Sequence, residues 1–237
     1  MTILSATPSQ DEFSTRTLAS DVRERLRADI VSGALKPGLR LRFDEIKARY
    51  NVGLSPLREA LFRLVSEGLV VAEDHRGFRV APVSRAKLMD ISFMRKELET
   101  MALKLSIERG DVAWESLVLA SFHQLAAISA KDDNGSLDPE WERRHKAFHF
   151  ALTSACGSEW LLQFRDMLGD QWARYRSLCI QYTRQKRNVL EEHMELMEAA
   201  LARDASAGAY LIGRHISRST QIILDSDATL FMVDDPA

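Results

Sequence analysis

Ser55-Pro56-Leu57-Arg58-Glu59-Ala60-Leu61-Phe62-Arg63-Leu64 is the stretch on which the reading of this chain turns. Ser55 offers a hydroxyl to cap a helix, and Pro56 suits the first helical position, where a missing N–H costs nothing. Leu57, Ala60, Leu61 and Leu64 recur at i, i+3, i+4 and i+7, which makes one apolar face. Arg58 and Arg63 project away from that face, and Gly68 supplies the residue that closes the helix. Alone, the stretch is either a DNA-reading helix or a capped surface helix. Its neighbours decide.

Upstream, Leu18, Val22, Leu26 and Ile30 repeat at four-residue steps, predicting a helix over 17–32 that Gly33 ends before the turn Lys36-Pro37-Gly38. A short helix follows over 44–50, with Ile46 and Tyr50 inward, and Asn51-Val52-Gly53-Leu54 links it to the opening stretch. Two short helices joined by four residues, the second bearing arginines, form a helix-turn-helix pattern. After Gly68 the period changes: Leu69-Val70-Val71-Ala72 and Phe78-Arg79-Val80-Ala81 flank the polar Glu73-Asp74-His75-Arg76-Gly77. That is a β-hairpin, the wing of a winged helix, whose tip places His75 and Arg76 within reach of phosphates or a groove.

Charge agrees with this placement. The net charge of −2 excludes a uniformly basic nucleic-acid binder, but Lys36 to Arg63 holds seven bases against three acids. Residues 1–84 carry +2 and the remainder −4, a small DNA reader on an acidic body. No run of eighteen apolar residues predicts a membrane span, and Met1 to Ser14 lacks the basic and apolar regions of a secretory signal. Residues 1–14 read as a disordered leader, and 15–83 as the DNA-binding domain. Cys156 and Cys179 lie in apolar helical contexts and suit buried thiols of a cytoplasmic protein.

Lys36-Pro37-Gly38 with Leu41, Val52, the Ser55–Leu61 stretch with Leu64, Glu67-Gly68-Leu69 and Arg76-Gly77-Phe78-Arg79-Val80 together resemble the GntR family of bacterial regulators. The resemblance covers the whole winged helix. It implies a homodimer on the inverted repeat of a double-stranded DNA operator. Ser55, Arg58 and Arg63 would then sit at the DNA, Arg42 at a phosphate or base, and the tip His75-Arg76-Gly77 would assist. The chain departs from the family at Leu54, where a polar or basic residue is common.

Beyond Pro82 nothing reads as sheet. Ser84 caps a long helix to about Glu108 with the apolar stripe Leu88, Ile91, Met94 or Arg95, Leu98, Met101 or Ala102, and Leu105. Further helices are predicted over 114–128, 139–154, 159–181, 189–203 and 205–224, with a loop at 131–138 and a polar tail from about 226. The fold expected is mainly α: a winged helix-turn-helix followed, over 84–225, by an all-helical bundle of six to seven helices. His145 and His149 share one helix face four residues apart, a spacing that lets two imidazoles hold one metal. The pair reads His-Lys-Ala-Phe-His, without the glutamate of a zinc-protease motif, and no Gly-x-Ser-x-Gly is present, which argues against a hydrolase.

Phe148-His149, Glu192-His193, Arg203-Asp204 to His215, and Arg95 with Glu99 resemble the FCD ligand-binding domain of one GntR subfamily. Leu137-Asp138, Trp141 to His149, Cys156-Gly157-Ser158 and Ala173-Arg174-Tyr175-Arg176 look close to its carbon-starvation-induced regulator branch, whose members respond to short dicarboxylates. The resemblance implies a transcriptional regulator, most often a repressor, that binds a divalent metal and a small carboxylate effector. Carried over by position, the metal ligands are His149, His193 and His215, with His145 where the family has an aspartate; Arg95 would receive an effector carboxylate. Alternatively, Arg95 pairs with Glu99 at i+4. Four neutral imidazoles would leave the ion's charge uncompensated and favour Zn or Ni over Ca or Mg. Two other readings compete: a body serving only dimerisation, and a metal-dependent hydrolase fused to a winged helix.

Overall fold

The computed structural model describes residues 17–74, 76–130, 137–179 and 187–226. The expected leader, His75, most of the 131–138 loop and the tail beyond Ser226 lie outside them.

Helix α1 (Leu18–Val31) begins at Thr17, whose hydroxyl accepts from the Ser20 N–H, and buries Ala19, Val22, Leu26 and Ile30. Strand β1 (Arg40–Leu41), helix α2 (Phe43–Tyr50), helix α3 (Leu54–Ser66) and the hairpin β2 (Val70–Glu73) and β3 (Gly77–Val80) follow. The three strands form an antiparallel sheet in the order β1-β3-β2, with Arg40 and Val71 both opposite Arg79. The hairpin was legible in the sequence; β1 was not, because two residues carry no period and only pairing with β3 defines it. Leu57, Ala60, Leu61 and Leu64 of α3 join Val22, Leu26, Ile30, Leu69, Phe78 and Val80 in one apolar core.

The start of α3 corrects the sequence reading. Ser55 is not the cap: Gly53, extended at φ −73°, ψ 166°, holds that position, and no side chain caps the helix. Asn51 turns the chain through the left-handed region at φ 50°, so the helix starts earlier, and the Leu57 N–H donates to the Gly53 carbonyl. Pro56 is still tolerated, because first-turn N–H groups have no intrahelical acceptor. Leu54 is therefore the first helical residue. At the other end Gly68, at φ +71°, and Leu69 donate to the Val65 and Leu64 carbonyls.

The body contains six helices among the described residues: α4 (Arg85–Arg109), α5 (Val112–Ala126), α6 (Pro139–Thr153), α7 (Glu159–Cys179), α8 (Val189–Leu201) and α9 (Ala205–Leu224). Ser84 caps α4 by accepting from the Lys87 N–H, and Asp138 caps α6 by accepting from Glu140 and Trp141. Helix α4 is central and packs on α6, α7 and α9. Of its alternative stripe positions, Arg95 and Ala102 turn inward, while Met94 and Met101 are exposed.

Helix α7 joins the two parts. Gln171 Nε2 donates to the Glu67 carbonyl at the end of α3 (2.5 Å), Arg174 Nη2 to the Ala81 carbonyl (2.5 Å), and Arg27 of α1 pairs with Asp170. A Cβ on Gly68 would stand 3.1 Å from Gln171 Nε2, and one on Gly33 3.2 Å from Leu178 Cδ2. Both glycines also have positive φ, so turn and close approach require them together. Next to these docking residues, Trp172, Arg176 and Cys179 face the other way, into a cavity of the body.

Candidate functional site

Two sites emerge, one on the surface and one buried. On the surface, α3 turns Leu54, Ser55, Arg58, Glu59, Phe62 and Arg63 to solvent while Leu57, Leu61 and Leu64 are buried. The Arg58 guanidinium lies 5.5 Å from the Phe43 ring centroid, which holds it at the α2–α3 junction. Arg63 pairs with Glu59 at 2.7 Å, and Arg42, ahead of α2, is exposed and loosely paired with Glu45 at 3.5 Å. In the wing, Gly77 has φ +89° and open space around it, and Arg76 is exposed. Arg40, which the sequence reading left among the counted bases, donates from Nη2 to the Arg76 carbonyl at 2.9 Å and ties β1 to the wing tip. Only the strand pairing reveals that role.

The buried site gathers all four singled-out body histidines. His145 and His149 come from α6, His193 from α8 and His215 from α9, each buried, with one ring nitrogen of each within 4.8 Å of the others. The i, i+4 spacing on α6 puts two rings 4.5 Å apart, and helix packing brings the other two to them. His149 Nε2 and His193 Nε2 stand 3.3 Å apart. Burial lowers the pKa of all four: His145, with Arg176 beside it, and His193, with His215 beside it, fall well below the ordinary value. Glu99 partly offsets the lowering at His149, and Glu192 does so at His215, which lies at about 4. The cluster is therefore neutral at physiological pH, with lone pairs available for ligation.

Two carboxylates stand behind it. His215 Nδ1 lies 2.9 Å from Glu192 Oε2, and His149 Nδ1 lies 3.8 Å from Glu99 Oε2. Burial opposes ionisation of both acids, but arginines prevail: Arg165 and Arg95 hold Glu99 well below its usual value, and Arg187 with His215 holds Glu192 at about 2. Glu192 accepting from the His215 Nδ1–H leaves that ring's Nε2 free, the arrangement typical of metal-bound imidazoles, while Glu99 stands beyond hydrogen-bond distance of His149. The donor set thus fits a divalent first-row ion.

Beside the cluster lies a cavity of about 240 Å³. His145 and His215 border it together with Arg95, Arg176 and Arg187, and Trp141, Trp172, Ile216, Ile222 and Ile223 form apolar walls. Arg95 lines the cavity and pairs with Glu99 at 2.6 Å, its i+4 partner, in an ion pair that is buried rather than on the surface. Arg176 lies between the Trp141 and Trp172 rings, 5.5 and 5.3 Å from their centroids, and binds Glu142. Of the adjacent Arg174, Tyr175 and Arg176, only Arg176 borders the cavity, because neighbouring helix positions face different ways. Arg187, directly before α8, gave no sequence signal; it bonds Glu192 at 2.8 Å and Ser219 Oγ at 2.7 Å.

Comparison with known proteins agrees with both halves. Residues 18–80 match the bacterial regulatory proteins of the gntR family, and residues 90–218 match the FCD domain. The chain is 40% identical over 213 residues to the HTH-type transcriptional regulator BphR of Paraburkholderia xenovorans (strain LB400), covering 88% of this chain and 86% of that protein. It is likewise 40% identical over 202 residues to the HTH-type transcriptional repressor GlaR of Escherichia coli (strain K12), covering 84% and 92%. The solved structure of E. coli McbR/YncC has the same fold, with a TM-score of 0.72 at 24% identity over 88% of this chain and 97% of that one. These relatives are regulators, not enzymes, which sets the hydrolase reading aside. With its winged helix, its helical body and these matches, the chain belongs to the GntR family of bacterial regulators as a DNA-binding transcriptional regulator carrying an FCD effector-binding domain.

Proposed function

We propose that this regulator is a homodimeric repressor of an inverted-repeat operator. A divalent ion, zinc or nickel, seated among His145, His149, His193 and His215 would control it, together with a small carboxylate in the adjoining cavity. The observation that carries the reading is the convergence of four neutral, buried imidazoles, two of which, His145 and His215, line a cavity that three arginines also border. The repressor sign rests on the 40% identity to a protein named as one.

At the DNA, Ser55, Arg58 and Arg63 on α3 read or position in the major groove, Arg42 meets the backbone ahead of α2, and His75, Arg76 and Gly77 form the wing contact. The buried site acts differently. A bound ion supplies a fixed double positive charge that draws a carboxylate inward. Arg95 and Arg176 offer guanidinium donors to that carboxylate, and Trp141, Trp172 and the isoleucines exclude water around it. Because α7 presents Trp172 and Arg176 to the cavity and Gln171 and Arg174 to the winged helix, occupancy of the cavity biases the placement of α3. The mechanism is a population shift between placements with different operator fit.

Elemental analysis of the full chain purified without chelator, with thermal melts in succinate and glutarate, tests the reading. One ion per chain and metal-dependent stabilisation by an acid are expected. Neither metal nor acid response would leave the body a plain dimerisation bundle.

A further inference from the structure

The four histidines of the cluster are not equivalent. His149, His193 and His215 form a nearly equilateral triangle, with ring centroids 5.3, 5.2 and 4.9 Å apart. His145 lies 4.5 Å from His149, 5.0 Å from His193, and 6.4 Å from His215. The hydrogen-bonding partners separate it further. Nδ1 of His215 lies 2.9 Å from Glu192 Oε2, which only accepts, and 3.1 Å from Arg187 Nη2; the carboxylate gives its ring an acceptor for a proton on Nδ1, which turns a bare Nε2 inward. Nδ1 of His149 has the Glu99 carboxylate at 3.8 Å, beyond hydrogen-bond distance, and no arginine donor bonds it. Nδ1 of His145 faces Arg176 Nη1 at 3.1 Å. A guanidinium only donates, so this Nδ1 accepts and the single proton of the neutral ring sits on Nε2.

Neither partner is free to rearrange. The His145 ring stacks on Trp141 at 4.6 Å with an 18° interplanar angle. Arg176 is held between Trp141 and Trp172 and by Glu142. A ligand must turn a lone pair to a metal, and His145 has already spent its lone pair on the arginine.

We infer that His145 is an anion-binding histidine rather than a fourth metal ligand: His149, His193 and His215 hold the ion, while His145, backed by Arg176, donates an N–H to the carboxylate in the cavity that it lines. This assignment rests on the metal reading above and divides its cluster into three ligands and one donor. It also gives a physical meaning to a histidine where the resembling family has an aspartate: a donor for an anion replaces an acceptor for a cation.

The test uses the full chain, stripped with chelator and titrated with zinc, and compares His145→Ala, His149→Ala and His215→Ala. His145→Ala is expected to keep one zinc per chain within about tenfold of the wild-type affinity, while the other two lose stoichiometric zinc. Glutarate, as the probe acid, is expected to bind zinc-loaded His145→Ala at least about tenfold more weakly than zinc-loaded wild type. His145→Asn, which restores an N–H donor in less volume, should keep zinc and recover part of that loss, guarding against a folding defect in the alanine variant. Loss of zinc from both His145 variants overturns the assignment, as does unchanged glutarate binding by zinc-loaded His145→Ala. Wild-type protein that takes up no zinc removes the metal reading itself, and this assignment falls with it. If zinc binds but glutarate does not bind the wild type, the anion role fails even where the three-ligand set stands.

Discussion

The winged helix and the helical body handle charge in opposite ways. In the winged helix the core is apolar and no described arginine is buried, with Arg40, Arg42, Arg58, Arg63 and Arg76 exposed on the surface. Among the described residues, every buried polar or charged side chain lies from Ser92 onward, including Arg95, Glu99, Arg165, Arg174, Glu192 and the four histidines. A DNA reader needs cations outside, so its interior is free to maximise apolar burial. The body takes charge out of water, at a cost that folding alone does not repay, and such investment marks a binding site.

Acidification should break the two regions apart most strongly. The folded-state pKa values of the cluster lie below the ordinary histidine value of about 6.5, His215 at about 4. The unfolded chain therefore binds more protons than the folded one between those values. The stability from keeping the cluster neutral is complete above about pH 6.5 and is lost as pH falls towards 4. At about 1.4 kcal/mol per pKa unit, His215 alone gives up about 3 kcal/mol in metal-free protein. Glu192, held at about 2, contributes its own loss only below the ordinary carboxylate range. All four tryptophans, at 114, 141, 160 and 172, lie in the body, so their fluorescence reports it alone. That signal should change between pH 6.5 and 4; a flat signal would remove the contrast.

Glu99→Gln comes next. It leaves Arg95 and Arg165 without their shared buried carboxylate, and urea unfolding should show a loss of about 3–5 kcal/mol. In the winged helix the corresponding sensitivity is to volume: Leu61→Ala, at a fully buried α3 position, should cost about 2–5 kcal/mol by the same measurement. Arg58→Ala should weaken specific DNA binding by about 1–3 kcal/mol while leaving the melting temperature unchanged. Arg63→Ala should cost less, because Glu59 already competes for that guanidinium. Comparable destabilisation of the fold by Arg58→Ala would contradict its placement on the reading face.

How far each region was legible in the sequence follows the same division. The leucine spacing of α1 and α3, Gly33, Gly68 and the hairpin runs fixed the winged helix, because its signals are local. The cap of α3 was misplaced by two residues, since Asn51 adopts the left-handed conformation and so lets Gly53 begin the helix. Strand β1 and the tether from Arg40 to the Arg76 carbonyl depend on pairing across some forty residues and left no local trace. In the body, helix bounds and the four histidines were readable. The partners those histidines meet were not: Arg176 comes from α7, Glu99 from α4 and Arg187 from the segment before α8. Gln171 carries no sequence signal, and Arg174, part of a run that resembles the family, turns not to the cavity but to the winged helix, as Gln171 does.

The central claim is that the buried cluster controls the surface reader. Fluorescence anisotropy tests it directly, using the full chain and a duplex carrying an inverted repeat selected in vitro, titrated with zinc or with EDTA at equal ionic strength. The wild-type dissociation constants should differ by at least about fivefold, and His193→Ala should give one constant under both conditions. Superimposable wild-type curves would contradict the account.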